Sequence, residues 1–239
     1  MQLLNQNISI DSFFSNLKES DNSILMLDYD GTLAPFTIDR ENALPYEGVP
    51  ERLVKLIELT SSKIIIVSGR DIAMLKKLLP LDRYPELYGS HGGEYFSETE
   101  GYTLLAGDDS KEFISEVKKW AVDNSYQTHF ESKSLSCAFH WRGKPTAEIE
   151  EMKSAIETRW NPEIKSLGME MHNFDGGIEF KLSSVNKGNA VKKILAENDV
   201  SNAAIAYLGD DLTDEDAFEA LGDYGLTVYV NHYIRKTYA

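Results

Sequence analysis

The chain has 239 residues, enough to bury a sizeable core in one or two domains, and its 42% hydrophobic and 26% charged content is that of a globular protein. Asp and Glu number 39 against 24 Lys and Arg, a formal net charge of −15 that argues against non-specific binding to nucleic acid or to an anionic membrane. The single cysteine, Cys137, excludes an internal disulfide and suits a reducing compartment, and with no signal-peptide pattern and no apolar run near the roughly 18 residues of a membrane span, a cytoplasmic location is expected.

Residues 11–18 predict a short helix with Asp11 as its N-cap. Ser23-Ile24-Leu25-Met26-Leu27-Asp28 carries four consecutive apolar residues, the pattern of a strand buried on both faces in a parallel sheet. The spacing of Leu53, Leu56 and Ile57 predicts a helix over 50–59, and Lys63-Ile64-Ile65-Ile66-Val67 a second buried strand. A helix over 71–79 follows, and then 86–94 reads as a third strand running into a glycine-rich loop.

The middle of the chain changes pattern. An amphipathic helix is expected over 110–124, strands over 126–131 and 135–142, and a second helix over 147–160. A hairpin of 169–173 with 177–182 is expected around Asp175-Gly176, since Asp-Gly between apolar runs is a strong hairpin signal. The α-β-β-α-β-β order suits an antiparallel sheet with helices on one face. The alternation then resumes: helix 186–197, strand 203–208, helix 214–220 and strand 226–230. Together these elements predict an α/β fold, a Rossmann-like parallel core over 1–105 and 184–239 with a small α+β cap inserted over 106–183.

Ligands of an open parallel sheet bind at the carboxyl ends of its strands. Three polar clusters fall there: Asp28-Tyr29-Asp30-Gly31-Thr32, Ser68-Gly69-Arg70, and Gly209-Asp210-Asp211-Leu212-Thr213-Asp214. Lys187 opens the helix before the last of these strands. Asp28, Asp30, Asp210 and Asp211 gathered in one cleft would repel one another unless a cation joined them, and Mg2+ suits hard oxygen ligands that share it with a substrate phosphate. Ser68 can donate to a phosphoryl oxygen, and Lys187 supplies positive charge where transfer builds up negative charge. A carboxylate nucleophile would split a hard displacement into two easier ones, with Asp30 positioned two residues on as acid and base.

Each cluster has a plainer reading when taken alone. Asp-x-Asp-Gly-Thr can be an ordinary turn after a strand, Ser68-Gly69-Arg70 another turn, and Lys187 a solvated lysine at a helix start. A calcium loop at Asp210 or Asp211 is rejected, because the sixth position is then Glu215 or Asp216 instead of Gly and the twelfth Leu221 or Gly222 instead of Glu.

In order, these segments resemble the four motifs of the haloacid dehalogenase superfamily. Within it, Asp28 to Phe36, Val67 to Arg70, Gly89-Ser90-His91-Gly92-Gly93-Glu94, Asn186-Lys187-Gly188 and Gly209 to Phe218 resemble the trehalose-6-phosphate phosphatase family, from about Leu25 onward. The resemblance implies a phosphoric monoester hydrolase with Asp28 as nucleophile and Asp30 as general acid/base. It implies Mg2+ on Asp28, the Asp30 carbonyl and Asp210, with Asp211 assisting through water, and phosphate contacts from Thr32, Ser68, Gly69 and Lys187. Substrate contacts are expected at Arg70 and His91, and in the cap at Glu131, Lys133, His140, Arg142 and Glu179, where charged groups would hydrogen-bond sugar hydroxyls. For those cap residues, and for His140 and Arg142 alternating with Phe139 and Trp141, a solvated sheet face is the plainer alternative.

The expected reaction is hydrolysis of trehalose 6-phosphate through an aspartyl-phosphate, with cap closure excluding water. A phosphatase of another glycosyl phosphate (glucosyl- or mannosyl-3-phosphoglycerate, sucrose 6-phosphate) or a silent sugar-phosphate sensor stands as the alternative. The chain carries no sugar-transferring synthase domain, so pairing with a separate sugar-phosphate synthase is expected. It ends at Thr237-Tyr238-Ala239, whereas the family commonly continues past its last strand.

Overall fold

The computed structural model describes residues 9–239 apart from 21, 38, 106–108, 175, 232 and 234. In chain order the elements are α1 (Ile10–Glu19), β1 (Ser23–Leu27), α2 (Val49–Leu59), β2 (Lys63–Val67), α3 (Ile72–Leu78), β3 (Glu86–Gly89), β4 (Glu94–Ser97) and β5 (Gly101–Leu104). Then come α4 (Asp109–Asp123), β6 (Phe130–Ser132), β7 (Ser136–His140), α5 (Thr146–Trp160), β8 (Met169–Phe174) and β9 (Gly177–Leu182). The chain closes with α6 (Lys187–Glu197), β10 (Ala204–Gly209), α7 (Glu215–Leu221) and β11 (Leu226–Tyr229). It divides into two compact units, Met1–Leu105 with Asn186–Ala239, and Ala106–Val185.

The larger unit is built on a seven-stranded sheet in the order β11-β10-β1-β2-β3-β4-β5. The first five are parallel, and β4 and β5 are antiparallel. Ile24, Met26, Ile65, Val67, Ile205 and Tyr207 pack on one face with Val191 and Ile194 of α6 and Phe218 and Leu221 of α7. Leu27, Ile64, Ile66 and Leu87 pack on the other with Leu53 of α2 and Leu75 and Leu78 of α3. Covering both faces explains why β1 and β2 read as unbroken apolar runs. Because β2 and β3 lie on one side of β1 and β10 and β11 on the other, the chain reverses direction across the sheet between β1 and β10. That gap is the topological switch at which such sheets bind ligands.

In the smaller unit the sheet order is β6-β7-β9-β8, all antiparallel. Cys137, Phe139, Ile178 and Phe180 face the core with Phe113 and Val117 of α4 and Ile156 and Trp160 of α5. The alternate residues Glu131, Ala138, Glu179 and His172 are paired in register across the opposite face.

Several expectations need correction. The first helix is capped by Ser9, whose hydroxyl accepts Ser12 N at 3.2 Å, which places Asp11 in the first turn where its charge favours the helix dipole. The segment after the third strand is not only loop. Glu94–Ser97 and Gly101–Leu104 form a hairpin that extends the sheet, turned at Gly101 (φ 74°) and tied by Glu100 N donating to Ser97 Oγ at 3.0 Å. Residues 126–129 are not strand, 127–129 forming a turn, and Arg142 lies beyond the end of β7. The helix expected from 214 begins as a 3-10 turn over Leu212–Asp214 and is α-helical from Glu215. Asp175 of the expected Asp-Gly turn lies outside the described residues, while Gly176 adopts φ 89° beside it.

Candidate active site at the switch of the parallel sheet

Asp28 follows the last residue of β1, and Asp210 follows the last residue of β10, so the parallel pairing of these strands brings both carboxylates to the switch. Asp28 N donates to Leu208 O at 2.9 Å, which fixes the Asp28 backbone against the neighbouring strand. Gly31 has φ 85°, and a Cβ there would run into the Asp210 carboxylate, so only glycine lets the two loops approach this closely. Lys187 is the first residue of α6, whose N-cap Asn186 accepts Asn189 N at 2.8 Å. Its Nζ donates to Asp28 Oδ1 at 2.5 Å and to Asp214 Oδ1 at 2.7 Å, with all three side chains 4% exposed or less.

Asp214 organises this corner. Its Oδ1 also accepts from the Tyr207 hydroxyl at 2.6 Å, while Oδ2 accepts Asp210 N at 3.1 Å and Asp211 N at 3.0 Å. One carboxylate therefore anchors Lys187 and the backbone that presents Asp210. In the sequence Asp214 stands only as the end of the Gly209–Asp214 cluster, with no role of its own, and Tyr207 only as part of a strand. The signal existed in the Tyr207 hydroxyl, since a phenol in a fully buried strand needs a partner.

Three buried carboxylates face one ammonium here, and the titration of Asp28 and Asp210 reflects the imbalance. Burial pushes the Asp28 carboxyl up, to about 8; Lys187 opposes that and Asp214 adds to it. Burial, followed by repulsion from Asp214 and Asp211, pushes Asp210 up to about 6. Burial alone would lower Lys187, but Asp28 and Asp214 hold it above the ordinary lysine value, so it is an ammonium. The cluster is thus short of positive charge.

The donor set fits a hard divalent cation. Asp28, Asp210 and Asp214 offer ligand oxygens that all lie within 4.8 Å of one another, and Asp210 Oδ1 is buried without a hydrogen-bond partner. Asp214 is the weakest of the three as a ligand, because both of its oxygens already accept two hydrogen bonds each. The Asp211 side chain is exposed and accepts Leu212 N at 2.6 Å, apart from the triad. The Asp30 side chain is also outside it: Arg70 donates from Nε to Oδ2 at 2.7 Å and from Nη2 to Oδ1 at 2.6 Å.

The second strand end supplies polar groups beside these acids. Ser68 is fully buried, and its Oγ accepts Arg70 N at 3.2 Å, which leaves the hydroxyl hydrogen to donate elsewhere. Thr32 Oγ1 is buried without a partner. Gly69 is exposed and faces the His91 ring, whose Cε1 lies 2.6 Å from where a Cβ would stand. Ser90 and His91 both have positive φ (49° and 57°), held there by Ser90 N donating to Arg70 O at 2.7 Å and His91 N donating to Ser68 O at 2.8 Å. Glu94, absent from the expected site, instead accepts Ile72 N at 2.9 Å at the start of α3, which Asp71 caps.

The remaining expected residues lie in the smaller unit. His140 Nε2 and Glu131 Oε2 are 2.6 Å apart, and Lys133 Nζ donates to Glu179 Oε1 at 2.7 Å, which Ser136 Oγ joins at 2.8 Å. Phe174 packs edge-on against His140 with ring centroids 5.5 Å apart. Arg142 is exposed beside Gly176. Glu131, His140, Lys133 and Glu179 thus form one partly exposed polar cluster on the sheet face away from the helices.

The fold, a parallel sheet with its polar cluster at the switch, is shared with haloacid dehalogenase-like hydrolases. A hydrolase of that kind from B. subtilis superposes with a TM-score of 0.57 at 14% identity, over 86% of this chain and 88% of its own. The chain belongs to the trehalose-phosphatase family, whose model matches residues 26–233. The C-terminal domain of trehalose-6-phosphate phosphatase from C. albicans superposes with a TM-score of 0.67 at 25% identity, covering 90% of this chain and 78% of that one. Trehalose-phosphate phosphatase of Mycobacterium tuberculosis is 28% identical over 221 residues, 87% of this chain and 54% of the relative. A trehalose-phosphate synthase of Dictyostelium discoideum is 28% identical over 203 residues, 83% of this chain and 25% of the relative. The chain thus spans from a quarter to about half the length of these curated relatives. Among the described residues no helix is long and apolar enough to cross a membrane.

Proposed function

We propose that the chain hydrolyses trehalose 6-phosphate to trehalose and phosphate through an aspartyl-phosphate on Asp28. The observation that carries this reading is the buried Lys187 bridging Asp28 and Asp214 beside the partnerless Asp210 Oδ1. Asp28 and Asp210 would hold Mg2+, which when bound supplies positive charge that neutralises the acid cluster and the substrate phosphate.

The chain's own groups supply the rest. An Asp28 carboxylate oxygen attacks phosphorus, the bond to the sugar oxygen breaks, and that oxygen takes a proton from Asp30. Water then attacks the phosphorus of the aspartyl-phosphate, gives its proton to Asp30, and releases phosphate with the Asp28 carboxylate restored. Lys187 holds Asp28 in place and offers charge to the phosphoryl oxygens, and the Ser68 and Thr32 hydroxyls can donate to them. Recognition of the sugar would fall to Glu131, Lys133, His140 and Glu179 on the smaller unit, with Arg142 at its margin. The synthase relative supports a supply of substrate by a sugar-phosphate synthase.

Phosphate release measured with and without Mg2+ across a panel of sugar phosphates tests the proposal. Trehalose 6-phosphate should be turned over fastest, and Asp28→Asn should cost on the order of 10⁴-fold in turnover. Faster turnover of another glycosyl phosphate reassigns the substrate. Absence of any turnover makes the protein a sensor, and activity surviving Asp28→Asn removes the nucleophile.

A further inference from the structure

The fork between Arg70 and Asp30 has a function that neither residue type alone would suggest. Both oxygens of the Asp30 carboxylate are engaged, one by Nε at 2.7 Å and one by Nη2 at 2.6 Å, and the Arg70 side chain is only 5% exposed. The arginine is itself locked. Its backbone N donates to Ser68 Oγ at 3.2 Å, its carbonyl accepts Ser90 N at 2.7 Å, and its guanidinium lies 5.7 Å from the centroid of the Tyr29 ring. That ring is fixed in turn by its hydroxyl, which donates to Ala43 O at 2.7 Å. The next residue but one from the proposed nucleophile is therefore aimed by a rigid planar fork, and not by its own rotamer preferences.

We infer that Arg70 is the positioning residue for Asp30 in the second half of the reaction. It holds the carboxylate in the orientation from which it takes the proton of the water that attacks the aspartyl-phosphate. In that step the water oxygen bonds to phosphorus, the phosphorus–Asp28 oxygen bond breaks with its electron pair returning to Asp28, and the water proton passes to Asp30. A fork that grips both oxygens also keeps the Asp30 side chain out of the acid triad formed by Asp28, Asp210 and Asp214. The inference rests on the proposed roles of Asp28 and Asp30, and extends them to a residue that need not touch the substrate.

A double-mutant cycle on turnover of the preferred phosphate ester tests it. Arg70→Met should lower kcat by about 30- to 100-fold, the scale of a catalytic group displaced by about an ångström, with KM changed by less than about threefold. Placed in an Asp30→Asn background, the same substitution should cost less than about threefold more, because the group it positions is already gone. The variant should also accumulate phosphoenzyme trapped by acid quenching, since formation of the aspartyl-phosphate from an aryl phosphate such as 4-nitrophenyl phosphate needs no acid for its leaving group. Equal losses in both backgrounds, a rise in KM with kcat unchanged, or no trapped phosphoenzyme would overturn the inference. If Arg70→Met does not fold, Arg70→Lys decides. One donor in place of a fork should cost about tenfold in kcat at unchanged KM, and full activity would overturn the inference. Full activity of Asp30→Asn alone would instead remove the acid/base reading on which the inference stands.

Discussion

At the sheet switch Lys187, Asp28 and Asp214 are paired at 2.5 and 2.7 Å with side chains 4% exposed or less, whereas in the smaller unit His140 and Glu131 pair at 2.6 Å with side chains 45% and 49% exposed. The distances are alike and the energetics are not. A pair in water is screened and contributes about 0–1 kcal/mol, while removing one partner of a buried pair leaves an uncompensated charge. The buried network is therefore rigid and committed to one arrangement, as a reaction requires. The exposed one can exchange its partners for other polar groups at small cost.

The sharpest way to break this contrast is Lys187→Met. It strands the carboxylates of Asp28 and Asp214 and should destabilise the protein by about 3–5 kcal/mol in urea unfolding. A loss below about 1 kcal/mol would mean that the cluster is no more committed than the surface.

The pH dependence of the metal-free protein comes next. The unfolded Asp28 value is near 3.8 and the folded one is about 8, so the native state holds a proton that the unfolded chain has lost. That contribution is complete below 3.8 and disappears as pH rises to about 8, with Asp210 adding a smaller one that disappears by about 6. Stability in the presence of a chelator should therefore fall between pH 5 and 8, by up to about 1.4 kcal/mol per unit for Asp28, and Mg2+ should flatten the slope. A flat profile without metal would contradict the charge imbalance.

Smaller still is Glu179→Ala, which releases Lys133 and Ser136 in the smaller unit. It should raise KM for trehalose 6-phosphate by about tenfold and leave that for a small aryl phosphate nearly unchanged, a discrimination of about 1.4 kcal/mol. Equal effects on the two substrates would remove sugar recognition from this face. At the bottom of the scale, Glu170→Gln breaks the pair with Lys181 at 3.1 Å and should shift stability by less than about 0.5 kcal/mol.

What could be read in the sequence follows the range of the physics involved. Asp28, Ser68 and Asp210 each follow an apolar run at a strand end, and Lys187 follows a capping Asn, so local patterning was enough to place them. The partners of these residues were not legible. Asp30 finds Arg70 40 residues away, and Tyr207 meets Asp214 only because a 3-10 turn folds back over the end of β10. The division of the exposed cluster into Glu131 with His140 and Lys133 with Glu179 depends on strand register, which composition does not encode. The hairpin of β4 and β5 was obscured by the glycines and the Ser90-His91 turn that precede it.

The bond from Lys187 to Asp28 spans 159 residues of chain, with the whole smaller unit between its ends. Asp28 and Lys187 therefore meet Asp210 and Asp214 only when β10 docks beside β1. Until then the loop after β10 holds two of the three acids, without the third carboxylate of Asp28 or the ammonium of Lys187. Occupancy of the site would act on how long the finished molecule stays folded, slowing the unfolding rate while leaving the folding rate nearly untouched.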